Sequence, residues 1–141
     1  MSERNVELTR RFVAAFNARD IETLIAYFDP SIEFHSAFAA LSGGVYHRHD
    51  GMRRWHRDLQ EAWGDEIRAE PEAYFDLGEQ TLVFYVLSAR GEQSGVEVAM
   101  LNASVTKWCD GLIVSWKVYA RREDALSDLG VSEDELERID P

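Results

Sequence analysis

His35 and Asp50 are the residues best suited to acid/base work in this sequence, because a histidine oriented by a carboxylate serves as a general base near neutral pH. Strand alternation sets Ile32 and Phe34 on one face and Glu33 and His35 on the other, while Asp50 also fits the N-cap of a helix starting at Gly51. His47, His49 and His56 invite a metal reading. Zinc needs three or four convergent ligands, and the neighbouring Arg48, Arg53, Arg54 and Arg57 repel a cation, so no metal is expected. The same arginines suit an anion, yet they alternate with Asp58 and Glu61 along helical turns and read as a salt-bridged, solvated face. Cys109 has no partner for a disulfide and reads as an inert thiol.

A binding reading is stronger than any of these. Between Val96 and Trp108 alternate residues run Met100, Asn102, Ser104, Thr106 on one face and Ala99, Leu101, Ala103, Val105 on the other. The first face suits a cavity with a polar tip. The second is an apolar patch that predicts a homodimer through the convex side of the sheet. Which residues of the next strand share the cavity depends on the turn at residues 109–111. A two-residue Asp110-Gly111 loop sets Ser104 opposite Lys117, whereas a three-residue loop with Gly111 left-handed sets it opposite Trp116. The three-residue loop is expected, because it groups Asn102, Ser104 and Thr106 with Val114, Trp116 and Val118. Phe16, Phe34, Met100, Asn102, Ser104 and Trp116 are then the candidate ligand-binding residues.

The elements that carry these residues follow from periodicity. Val6, Leu8, Phe12, Val13 and Phe16 predict an amphipathic helix over 4–18. Asp20, with Thr23 three residues on, caps a second helix that Pro30 stops, and 31–35 reads as a strand. Residues 37–50 read as a loop with partial helical character, and 51–63 as a helix ended by Gly64. Four strands follow near 67–76, 80–90, 96–108 and 112–120, with turns at 77–79, 91–95 and 109–111, before short acidic helices. Helices first and a meandering sheet afterwards predict one α+β domain spanning 1–141.

The 141-residue chain carries a formal charge of −11, which disfavours nucleic acid and acidic substrates. No apolar run approaches the ~20 residues of a spanning helix, no secretory h-region is visible at the charged amino terminus, and a cytoplasmic setting is expected. There is no cofactor motif, and none is expected.

The run from Phe12 to Asp20, the run from Tyr27 to His35, Tyr46 to Trp55, Asp110-Gly111 before Ile113-Val114, and Tyr119 to Leu126 together resemble SnoaL-like proteins of the nuclear transport factor 2-like superfamily. The resemblance implies a cone-shaped domain whose curved, mixed sheet wraps around N-terminal helices and encloses a cavity. Ketosteroid isomerase, a member of that superfamily, works with a carboxylate base, a tyrosine and a protonated aspartate. By resemblance those positions fall here on Ser36, Phe12 and Ser104, so that mechanism does not carry over. No cavity-facing acid is evident from the sequence. The expected function is binding of a small hydrophobic molecule, with an isomerase, cyclase or hydrolase using His35 as the alternative.

Overall fold

A computed structural model describes residues 2–37, 44–64, 66–90 and 97–141. Helix α1 (Ser2–Asn17) turns Val6, Thr9, Phe12 and Ala15 inward at helical spacing, and all four are buried. Asn17 ties its end to the backbone of Ala69, donating to the carbonyl at 2.9 Å and accepting from the N–H at 2.8 Å. Helix α2 (Ile21–Ala26) starts as expected: the Asp20 carboxylate accepts from the Thr23 N–H at 3.2 Å and from its hydroxyl at 2.6 Å. It stops short of Pro30, which is taken up instead in strand β1 (Phe28–Ser36). The proline is tolerated because pairing with the neighbouring strand breaks register between Phe28 and Glu33.

Strand β2 (Val45–His47) pairs with β1 and leads directly into helix α3 (Arg48–Trp63), which Gly64 ends at φ +61°. The loop expected over 37–50 is thus partly strand and helix, while residues 38–43 lie outside the described residues. His47, not Asp50, holds the cap position, and Asp50 lies in the first helical turn. Strands β3 (Arg68–Asp76), β4 (Gln80–Arg90), β5 (Glu97–Cys109) and β6 (Leu112–Tyr119) form the meander. The turn expected at 91–95 also lies outside the described residues. After helix α4 (Arg122–Leu129) and a 3-10 turn at Glu133–Glu135, a short strand β7 (Arg138–Ile139) pairs with β3. The sheet order is β2-β1-β6-β5-β4-β3-β7, with β1 and β6 parallel and every other pair antiparallel. This is the expected α+β fold with a curved, mixed sheet. Among the described residues no helix is long and apolar enough to cross a membrane.

The β5–β6 hairpin corrects the three-residue loop. Cys109 pairs with Leu112 across a two-residue turn in which Asp110 (φ +50°) and Gly111 (φ +81°) both take left-handed backbone. A bulge then sets Lys107 opposite Ser115 directly after Trp108 opposite Ile113, so Ser104 faces Val118 across the ladder. The extra residue restores the parity that the longer loop would have given. Ser104 and Trp116 therefore share a face, and Lys117 goes to the other, where its Nζ lies 3.6 Å from Asp128 of α4.

The convex face differs from expectation. Ala103 and Val105 are buried within their own chain, in a cluster with Phe75, Leu82, Phe84 and Ala125 of α4. Arg122 fastens this cover: its guanidinium donates to the carbonyls of Asn102 at 3.2 Å and Tyr85 at 3.1 Å, pairs with Glu72 at 2.6 Å, and lies over the Phe84 ring. Of the apolar patch, Ala99 and Leu101 stay exposed, Leu101 to 60%.

Candidate functional site

The ladder registers set the inner face of the sheet. One row runs Phe34, Trp116, Thr106, Thr81, and the next runs Ser36, Val118, Ser104, Val83. Further along, Tyr85 lies beside Asn102, and Leu87 beside Met100. Helix α1 crosses this face with Thr9, Phe12, Val13 and Phe16. Helix α3 closes it with Trp55, Asp58, Leu59 and Ala62, a stripe at positions i, i+3, i+4 and i+7. A cavity of about 720 Å³ remains between helices and sheet.

Aromatic rings cluster on its inner wall. Phe34 stacks on Trp116 with ring centres 4.0 Å apart and on Tyr46 at 6.1 Å, and the Trp55 ring stands nearly perpendicular to Trp116 at 5.2 Å. Polar groups are few. Ser104 and Tyr85 line the cavity, and neither hydroxyl makes a hydrogen bond among the described residues; the Trp116 indole N–H is buried behind the wall and has no partner there either. Burial pushes the Tyr85 phenol well above its ordinary pKa, so it stays a neutral donor and acceptor. The Tyr46 hydroxyl donates to Asp58 Oδ2 at 3.1 Å, which puts a carboxylate in the cavity wall.

Five of the six expected ligand-binding residues, Phe16, Phe34, Met100, Ser104 and Trp116, are brought together on this lining. Asn102 is not part of it. It is fully buried, and its Nδ2 donates to the Ala120 carbonyl at 3.1 Å, so it braces the end of β6. His35 and Asp50 are not brought together in the cavity either. His35 points outward beside Glu33, with its Nε2 3.7 Å from that carboxylate, and Asp50 is exposed. The three histidines are dispersed: the His49 Nε2 lies 2.9 Å from the Phe28 carbonyl, His47 is exposed, and His56 packs against Trp55. Arg53 pairs with Glu22 of α2, as a solvated face would. Asp58 is the residue that sequence reasoning missed. Its spacing from Trp55 and Leu59 would have placed it on the inner stripe.

A model of the SnoaL-like domain matches residues 9–116. The chain belongs to the SnoaL-like family. No curated protein matches it. Solved structures share the fold: an NTF2-like protein of unknown function from Burkholderia pseudomallei is 19% identical, with a TM-score of 0.75 over 87% of this chain and 95% of that one. TerC, co-crystallized with polyporic acid, is 20% identical at a TM-score of 0.74, covering 89% of this SnoaL-like chain and 96% of its own. A hypothetical protein with a ketosteroid isomerase-like fold from Catenulispora acidiphila, in complex with trimethylamine, is 13% identical at a TM-score of 0.72, over 91% of this chain and 95% of that one. Phe12, Ser36 and Ser104, onto which the resemblance mapped the isomerase's catalytic positions, all line the cavity. None of them carries a carboxylate or a phenol. The carboxylates of the lining, Asp58 and Glu61, lie on α3 instead.

Proposed function

We propose that this SnoaL-like protein binds a small, largely apolar molecule between α1, α3 and the inner face of the sheet, in contact with Phe16, Phe34, Met100, Ser104 and Trp116. The observation that carries the reading is an aromatic and aliphatic wall with few polar groups, of which the Ser104 and Tyr85 hydroxyls make no hydrogen bond among the described residues. Binding sites pair apolar walls with a few placed polar groups in this way, and a buried donor or acceptor without a partner is costly unless a ligand satisfies it. The ligands in the TerC and Catenulispora structures agree with a small-molecule role.

Trp55, Trp63 and Trp116 line the cavity, so an entering ligand should change tryptophan fluorescence. Mass spectrometry of material released on denaturing the purified protein supplies the probe. Reproducible release of one small molecule whose re-addition quenches fluorescence is expected, and a protein that releases nothing and responds to no apolar probe refutes the reading.

A second reading, catalysis by proton transfer, is favoured by Asp58, a wall carboxylate held by a phenol. It predicts that Asp58→Asn abolishes turnover while leaving substrate affinity in place. The setting we infer is cytoplasmic, within one domain. A homodimer through Ala99 and Leu101 completes the proposal.

A further inference from the structure

We propose that the molecule this cavity takes is a cation, an ammonium or alkylated ammonium group on an apolar body, and that the Asp58–Tyr46 pair receives the charge. This rests on the cavity being a binding site and names the chemistry of its ligand. The charge inventory of the wall is one-sided: Asp58 and Glu61 line it, and no lysine, arginine or histidine does. Residues 38–43, 65 and 91–96, outside the described set, contain no lysine, arginine or histidine in the sequence. Neither wall carboxylate has an ion-pair partner among the described residues.

The nearby cations lie outside the lining. The Arg54 guanidinium lies over the Tyr46 ring, 5.3 Å from its centre, and is not in the lining. Arg19 donates to the backbone carbonyls of Asn17 at 2.7 Å and Ile67 at 2.6 Å. His56, next to Trp55, is held below its ordinary pKa by burial and by the charge of Arg19, which favours its neutral form.

Asp58 is also placed rather than loose. It lies one helical turn after Trp55, and the Tyr46 hydroxyl fixes Oδ2 while Oδ1 keeps its lone pairs. Trp55, one turn before it, stands nearly perpendicular to Phe34 at 5.3 Å and to Trp116 at 5.2 Å, so a bound cation meets an aromatic wall next to the carboxylate. An apolar anion would meet like charge here. A neutral molecule would take water from the carboxylate without replacing its hydrogen bonds, at a cost that a cation offsets. The formal charge of −11 on the chain raises the concentration of cations around it.

The test compares three probes by tryptophan fluorescence: benzyltrimethylammonium, neopentylbenzene, which has the same shape without the charge, and phenylacetate. The cation should bind about tenfold or more tightly than its neutral isostere, with phenylacetate weakest. Asp58→Asn should bring cation and isostere together, weakening the cation and relieving the isostere's cost at the carboxylate. Tyr46→Phe keeps the carboxylate and should keep the preference. Equal binding of cation and isostere by the unsubstituted protein, or preference for phenylacetate, overturns the cation assignment and leaves the cavity reading intact. A cation preference that survives in folded Asp58→Asn overturns the role of Asp58. No response to any of the three overturns the cavity reading and this inference with it. The comparison on the unsubstituted protein decides the charge preference even if Asp58→Asn fails to fold.

Discussion

Deep under α1 the Trp108 indole N–H is shared between two hydroxyls, Thr9 Oγ1 at 3.2 Å and Thr106 Oγ1 at 3.0 Å, and Trp108 is only 3% exposed. Thr9 in turn donates to the Asn5 carbonyl at 2.8 Å, and Thr106 to the Thr81 carbonyl at 3.5 Å. Thr→Val at either position keeps the shape and leaves the indole one partner. Thr9→Val removes the bond to the Asn5 carbonyl and one of the indole's two, together worth about 1–3 kcal/mol, and gains a buried methyl worth about 0.8, for a net cost of about 0–2 kcal/mol. Thr106→Val gives up the indole's shorter bond and the long contact to the Thr81 carbonyl, partly offset by the same methyl at a favourable strand position, and should cost about 0–1 kcal/mol. The double variant strands a buried N–H and should cost about 1–3 kcal/mol beyond the sum of the singles. Urea unfolding of the four proteins, with unchanged m-values, gives the coupling directly. Additivity within about 0.5 kcal/mol, as for unconnected sites, would refute the shared hydrogen bond.

Ser104→Leu should block ligand binding with a stability change below about 1.5 kcal/mol, because the side chain extends into open cavity; fluorescence titration and thermal melting check both halves. Sedimentation should give a particle about twice the 16.1 kDa chain mass, and Leu101→Glu should convert it to monomer; a concentration-independent monomer before substitution removes the dimer. Acid stability follows Asp128, whose pKa is held below the ordinary carboxylate value by the Tyr119 hydroxyl and the Lys117 charge. A depressed folded-state pKa gives stability that is present above the unfolded value and lost as pH falls through the folded one. Asp128→Asn should therefore flatten the acid limb of a melting-temperature profile, by less than about 1 kcal/mol because the pair is half exposed, and an unchanged limb would refute the assignment.

Period-2 polarity made the inner face of β5 legible before any coordinates, and Met100 and Ser104 line the cavity as it implied. Periodicity gives a face but not a depth. Asn102 lies on the right face, yet the Ala120 carbonyl claims its amide. The hairpin shows a similar limit: turn residues Asp110 and Gly111 fit two loop lengths, and only the ladder reveals the bulge that compensates for the shorter one. Asp58 was hidden by composition, since arginines and Glu61 surround it, although its spacing from Trp55 points inward. His35 was drawn toward the cavity by its chemistry, against its own alternation with Phe34. Strand β7 was illegible because two residues carry no period; its place is set by the open edge of β3.

That edge has a consequence for how copies of this chain meet. A sheet associates through its edges when a long outer strand offers unpaired N–H and C=O groups. Here the outermost strands are β2, with three residues, and β7, with two, and the latter is followed by Asp140 and Pro141. Such stubs offer little template for a growing ribbon. Self-association by strand addition at β2 and β7 is thereby discouraged, and a pair formed through the proposed contact around Leu101 would end there instead of propagating into a fibre.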